Sequence, residues 1–167
     1  RGTATVIQSG IDGTSEITQF GGRNATASLT QSGIGNGSII NQEDGATTAT
    51  VKQTGLSGVS TINQISIRDD DGIRTWDGVY ANTAIVNTSG IDTVSTITQN
   101  SYSGYANVNQ SGLATTSTIW QTARNANATV LQIGGTNNAS NIEQFGQNLT
   151  DSGLTATVTQ DGGIGNQ

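Results

Sequence analysis

Polar and aliphatic residues alternate in short stretches along the chain, and each stretch ends in a glutamine. The segments TATVKQTG (48–55) and TATVTQDGG (155–163) show the pattern plainly. Because successive side chains of a β-strand point to opposite faces, residues two apart share a face. Each stretch therefore predicts a strand with a small residue, an aliphatic residue and a glutamine on one face, and mostly threonine on the other.

The stretches form an internal repeat made of two alternating half-repeats. One half is Ser-x-Ile-x-Gln and occurs in six copies, while the other approximates Ala-x-Val-x-Gln and occurs in seven. A whole repeat spans about 22 to 23 residues. Glycine commonly stands two residues after the glutamine, as at Gly10, Gly33 and Gly55. Glycine tolerates a positive φ, so each connection is predicted to be a tight turn.

The inward positions define two predicted columns that run through all the repeats. The structural ladder is predicted to contain Gln8, Gln19, Gln31, Gln42, Gln53, Gln64, Gln99, Gln110, Gln121, Gln132, Gln144 and Gln160. We assign Asn87 to the same column, as a shorter substitute for glutamine. The aliphatic core column is predicted to contain Val6, Ile17, Leu29, Ile40, Val51, Ile62, Ile85, Ile97, Val108, Ile119, Val130, Ile142 and Val158.

Two arrangements of these strands compete. Successive strands could pair as antiparallel hairpins, or each repeat could form one flat coil that stacks like strands in parallel. The strict alternation of half-repeats favours the coil, because serine then stacks on serine, isoleucine on isoleucine and glutamine on glutamine. The predicted fold is an all-β solenoid of about 6.5 strand-turn-strand repeats, with two parallel, in-register cross-β sheets facing each other. We expect a single domain over residues 1–167, with a loop inserted at about 65–80.

Glutamine on an inward face requires a hydrogen-bonding partner. A buried amide without one costs about 1–3 kcal/mol. Rungs of a stacked sheet are about 4.8 Å apart, so stacked glutamines can bond one another, as in the Asn/Gln ladders of cross-β assemblies. The outermost rungs stay unpaired, and we find no dissimilar capping segment. Two open, complementary edges predict that copies of the chain associate head to tail into a filament.

The alternating halves resemble the curlin repeats of bacterial curli fibre subunits. The family pattern, Ser-x5-Gln-x-Gly-x-x-Asn-x-Ala-x3-Gln, is similar to QFGGRN (19–24), QTARNANATVLQIGGTN (121–137) and QFGQN (144–148). The likeness covers nearly the whole chain except 65–80 and the last few residues. It implies an exported subunit of an extracellular amyloid fibre for biofilm matrix and surface adhesion. It also implies a nucleating minor subunit and an outer-membrane secretion pore as partners.

Composition argues against several other functions. The chain has no Cys and no His, so thiolate and imidazole chemistry are not expected. A net charge of −6 without a basic patch argues against nucleic acid. No run of 18 apolar residues is present, so we expect no membrane-spanning helix. Because the first residue is Arg1 rather than Met, we expect that a leader has been removed.

The segment 65–80 carries the densest cluster of carboxylates. Asp69, Asp70, Asp71 and Asp77 could bind calcium, but their spacing does not match an EF-hand loop. We therefore expect a solvated loop, with no metal and no cofactor. No catalytic constellation is evident elsewhere, so we do not expect an enzyme.

Two further interpretations remain open at this stage. Outward threonine pairs such as Thr48 and Thr50 are typical of an ice-binding or other monomeric binding solenoid. The same column, however, is expected to continue into Asn82 and Ala84, which interrupts a regular array. The hydrophobic content of 32% is also compatible with disorder.

Overall fold

The computed structural model describes residues 2–21, 24–43, 45–66, 81–146 and 153–167. In chain order the strands are β1 (Thr3–Gln8), β2 (Thr14–Phe20), β3 (Thr26–Gln31), β4 (Gly37–Glu43), β5 (Thr48–Gln53), β6 (Val59–Ser66), β7 (Thr83–Thr88), β8 (Val94–Ser101), β9 (Tyr105–Gln110), β10 (Thr116–Gln121), β11 (Asn127–Ile133), β12 (Ala139–Gln144) and β13 (Thr155–Asp161). No helix long and apolar enough to cross a membrane occurs among the described residues.

The strands form two parallel sheets that face each other. The odd-numbered strands make a seven-stranded sheet in chain order from β1 to β13, and the even-numbered strands make a six-stranded sheet from β2 to β12. The chain therefore passes from one sheet to the other after every strand. This is the stacked-coil β-solenoid predicted from the alternation of half-repeats, and the fold prediction is confirmed.

Neighbouring strands pair in register, so that like residues stack on like residues. Pairing of β3 with β5 places Gln31 beside Gln53. Pairing of β8 with β10 places Ile97 beside Ile119. Valine, isoleucine and threonine suit such strands because branched side chains pack well on a pleated surface. The register keeps each inward column chemically uniform along the stack.

The core is a thin apolar layer between the sheets. Each inner strand contributes one aliphatic side chain, flanked on one side by an alanine or serine and on the other by a glutamine, or by Thr88 in β7. The buried aliphatic residues are Leu29, Ile40, Val51, Ile62, Val86, Ile97, Val108, Ile119, Val130 and Ile142. Facing sheets are separated by about 10 Å, so one aliphatic residue per strand fills the space. The low apolar content of the chain is sufficient for this reason.

One strand is shifted by one residue from its predicted alignment. The prediction placed Ile85 and Asn87 on the inward face of β7. The structure instead buries Ala84, Val86 and Thr88, while Ile85 and Asn87 lie on the outward face. A one-residue shift moves every side chain of a strand to the other face. The prediction was wrong because it relied on the amide of Asn87, whereas stacking aligns Val86 with the valines of β5 and β9.

Only the first two residues of the predicted loop at about 65–80 lie in the described part of the chain. Ile65 and Ser66 are the last residues of β6 and pair with β8. The rest of the predicted loop, 67–80, lies outside the described residues. The carboxylate cluster from Asp69 to Asp77 falls in that segment, and the expected solvated loop stays a prediction.

Stacked glycines allow the coils to approach closely at Gly33 and Gly55, whereas the predicted positive φ occurs at Gly21, Gly134 and Gly162. A Cβ atom on Gly33 would lie 1.7 Å from the carbonyl oxygen of Gly55, and one on Gly55 would lie 1.8 Å from that of Gly90. The positive φ of the turn falls two residues after Gly55, at Ser57 (φ 53°). Glycine at these positions is therefore required for contact between coils, and the left-handed residue follows it.

Gly55→Ala is expected to lower the free energy of unfolding by about 2–3 kcal/mol, as overpacking substitutions do, because the added methyl group would meet backbone. Urea unfolding followed by circular dichroism measures the change. Gly37→Ala is the matched control, since a Cβ atom there would meet only Thr14 Oγ1, at 3.4 Å. Equal losses in the two variants would contradict the steric explanation.

Candidate assembly surfaces

A continuous ladder of glutamine side chains runs through the six-stranded sheet. Each Nε2 donates to Oε1 of the glutamine in the next even-numbered strand, at 2.8–3.0 Å. The members are Gln19, Gln42, Gln64, Gln99, Gln121 and Gln144. Because every donor points toward the C-terminal rungs, the ladder has a direction.

The ladder of the seven-stranded sheet is divided into two segments. Gln8, Gln31 and Gln53 form the first, with bonds of 2.7 Å. The second consists of Gln110, Gln132 and Gln160, with bonds of 2.6–2.8 Å. Between them lies Thr88, whose buried Oγ1 has no hydrogen-bond partner among the described residues.

Serines of the opposite sheet satisfy the glutamines on both sides of this gap. Gln53 Nε2 donates to Ser60 Oγ at 3.0 Å. Ser95 Oγ donates to Gln110 Oε1. Ser38, Ser60 and Ser95 thus bond glutamines of the other half-repeat. The buried hydroxyls of Ser117 and Ser140 have no hydrogen-bond partner among the described residues.

The second proton of the glutamine amide links the two sheets. Nε2 donates to the backbone carbonyl of the first residue of the preceding strand, at 2.9–3.3 Å. The eleven glutamines that do so are Gln19, Gln31, Gln42, Gln53, Gln64, Gln99, Gln110, Gln121, Gln132, Gln144 and Gln160. For Gln8, the structure shows only the bond to Gln31. Both protons of an interior amide are therefore used, which offsets its loss of water.

The inward columns become exposed at the two end surfaces of the solenoid. At the N-terminal surface, formed by β1 and β2, Val6 is 45% exposed, whereas the equivalent Val51 is 1% exposed. At the C-terminal surface, formed by β12 and β13, Ala156 and Val158 are only partly buried. Core residues and strand edges are thus available for contact at both surfaces.

The two end surfaces present opposite hydrogen-bonding groups. At the N-terminal surface Gln8 and Gln19 show Oε1 atoms that accept no hydrogen bond from described residues. At the C-terminal surface Gln144 and Gln160 each have one Nε2 proton that bonds a carbonyl and one that has no described partner. Acceptors at one surface match donors at the other, so the surfaces are complementary but not alike.

A ridge of exposed aliphatic residues also follows one edge of the solenoid. Isolated parallel β-bridges of the backbone connect the residues of this ridge from coil to coil. Its aliphatic members are Ile11, Ile34, Leu56, Ile91, Leu113 and Ile164, and Thr136 lies in the same row. The aliphatic members are 42–84% exposed. The sequence prediction overlooked this ridge. An aliphatic residue stands three or four places after Thr88 and after every glutamine of the odd-numbered strands except Gln132, and this spacing could have indicated it.

No family model, curated protein or solved structure matches the chain. Among the described residues no group of three or more acidic, His or Cys side chains could hold a metal ion. The candidate functional surfaces are therefore defined by the repeat itself: the glutamine ladders and the two ends at which they are open.

Gln110→Leu is expected to lower the free energy of unfolding by about 1–3 kcal/mol, because it leaves buried partners such as Gln132 Oε1 without a donor. Asn109→Leu is the control, since the neighbouring Asn109 is exposed on the outward face. Chemical unfolding of both variants measures the difference. Similar stability of the two variants would show that the ladder contributes little.

Thr88→Gln is expected to raise the free energy of unfolding by about 1 kcal/mol, since an amide at this position would join the two ladder segments. Thr88→Glu has the same shape but no amide protons, and should destabilise the fold through its buried charge. Thermal unfolding of the pair distinguishes them. The ladder explanation fails if the glutamine variant loses as much stability as the glutamate variant.

Proposed function

We propose that the chain is a structural subunit of an extracellular, curli-like functional amyloid fibre, which grows by head-to-tail addition of copies. The observation that carries this proposal is the complementarity of the two end surfaces. The N-terminal surface has the half-exposed Val6, and the C-terminal surface has the partly buried Ala156 and Val158. Each surface also ends in parallel strands with no further described strand beyond them, and in glutamines with hydrogen-bonding capacity that no described residue uses.

Association through these surfaces favours a filament over a closed dimer. The N-terminal surface offers amide oxygens and the C-terminal surface offers amide protons, so a contact between them is heterologous. One such contact leaves the outer two surfaces unchanged, and a further copy can bind to either. The fold continues through each contact as parallel strands, which is the cross-β arrangement of amyloid.

The cellular part of the proposal follows from the resemblance to curlin repeats. In that role the subunit is exported, acts at the cell surface in biofilm matrix and adhesion, and performs no catalysis. Its partners are other copies of itself, a nucleating minor subunit and an outer-membrane secretion pore. The net charge of −6 is compatible with a soluble state before assembly.

A monomeric ice-binding role is less well supported by the outward face. In the threonine column, Thr48 and Thr50 are followed by Thr83 and Ile85 of β7. The sequence-based alignment with Asn82 and Ala84 was wrong, because both lie buried. The array is still interrupted, now by the aliphatic side chain of Ile85.

Val6→Lys is expected to slow filament elongation about tenfold or more while leaving the monomer folded. A lysine there would place a charge in the junction, where burial without a partner is costly, and each 1.4 kcal/mol lost corresponds to a factor of ten. Seeded elongation, followed by light scattering and electron microscopy, measures the rate. Circular dichroism of the fresh monomer checks the fold.

Thr5→Lys is the matched control, because the neighbouring Thr5 points to the outward face of the same strand. It should elongate at nearly the parent rate. A parent chain that remains monomeric at high concentration, or a Val6→Lys variant that elongates as fast as Thr5→Lys, would exclude the proposed junction.

A further inference from the structure

We propose that successive copies in the filament are related by a half turn about its axis, so that β1 of one copy stacks on β12 of the preceding copy and β2 stacks on β13. This inference rests on the proposed function. It adds the identity of the strands that meet at the junction, which head-to-tail growth alone does not specify.

The number of strands in the two sheets favours a half turn. Each strand is followed by one in the opposite sheet, so successive strands alternate between the two sheets along the stack. Both β1 and β13 belong to the seven-stranded sheet. The strand that continues the stack after β13 must lie in the six-stranded sheet, and β1 of the next copy occupies that place only after a half turn.

A copy added without rotation would leave a gap. Its β1 would stack on β13, but its β2 would then lie two rungs from β12, a separation of about 9.6 Å for rungs 4.8 Å apart. One strand would be missing from the six-stranded sheet at every junction. The edge of β12 and the edge of β2 would both keep unpaired backbone groups inside the filament, which is costly where water is excluded.

The half turn also preserves the inward columns across the junction. When β1 stacks on β12, Val6 lies over Ile142 and Gln8 lies over Gln144. When β2 stacks on β13, Gln19 lies over Gln160. The two half-repeats are interchangeable at these positions because each contributes one aliphatic residue and one glutamine to the interior. Gln144 and Gln160 can then donate to the free Oε1 atoms of Gln8 and Gln19, and both ladders continue.

The half turn also provides a carbonyl for the second amide proton of Gln8. Every other ladder glutamine donates to the first carbonyl of the strand that precedes it in the opposite sheet, as Gln160 does to Ala139 at 2.9 Å. For Gln8, no bond of this kind exists within the described residues. After a half turn the preceding strand is β13 of the neighbouring copy, whose first residue is Thr155. The carbonyl of Thr155 then completes the pattern, whereas an unrotated copy offers Gln8 no such carbonyl.

Disulfide cross-linking in the filament tests the rotation. The chain contains no cysteine, and stacked parallel residues lie about 4.8 Å apart, within the Cα separation that a disulfide spans. Thr5→Cys with Asn141→Cys places thiols next to each other only after a half turn. Thr5→Cys with Thr157→Cys does so only without rotation. All three positions are outward and exposed.

Filaments of each variant are oxidised and then dissolved for non-reducing electrophoresis. We expect covalent polymers from the Thr5–Asn141 pair and at least tenfold fewer cross-links from the Thr5–Thr157 pair. Glu16→Cys with Thr157→Cys is a second pair that the half turn stacks, and it should also polymerise. Thr5→Cys alone is the control for lateral oxidation between filaments.

The outcomes separate the inference from the proposed function. Filaments that cross-link through the Thr5–Thr157 pair, or through none of the pairs, would overturn the half turn while leaving head-to-tail growth in place. Failure of the parent chain to form filaments at all would overturn the proposed function, and the half turn with it.

Discussion

The hydrogen bond between stacked glutamine amides is the interaction on which the rest of this structure depends. It allows a polar side chain to lie buried beside a thin aliphatic layer wherever another glutamine lies in the next coil, and beside Thr88 the hydroxyls of Ser60 and Ser95 bond Gln53 and Gln110 instead. A rung that slipped by one residue would turn its glutamine outward and leave two neighbours unpaired. The bond therefore maintains the register, and it explains why a chain with 32% hydrophobic residues folds into an ordered core.

The same bond gives the molecule a direction. Because each Nε2 donates toward the C-terminal coils, acceptors remain at one end surface and donors at the other. An assembly that satisfies both must be polar and can extend indefinitely. Fold and proposed function thus share one cause, since the contact between copies repeats the contact between coils.

Most of the fold could be predicted from the sequence, because two independent periodicities specify it. Alternation of two residues defines the faces, and the longer repeat defines the coils. The inward face of strand β7 was assigned wrongly because Ile85 and Val86 are adjacent, so either side chain could have filled the core. The turn that follows β7 determines its alignment. Gly90 stacks between Gly55 and Gly112, and this places Thr88 in the glutamine column. The need for glycine at close contacts depends on distances between coils, which a linear pattern does not contain.

Cryo-electron microscopy of the filament tests the central claim most directly, because it shows the side chains at the junction between copies. The account predicts an uninterrupted rung spacing of about 4.8 Å through each junction, with both glutamine columns continuous and buried. Glutamines facing solvent, or a break in the rungs at each boundary between copies, would contradict it.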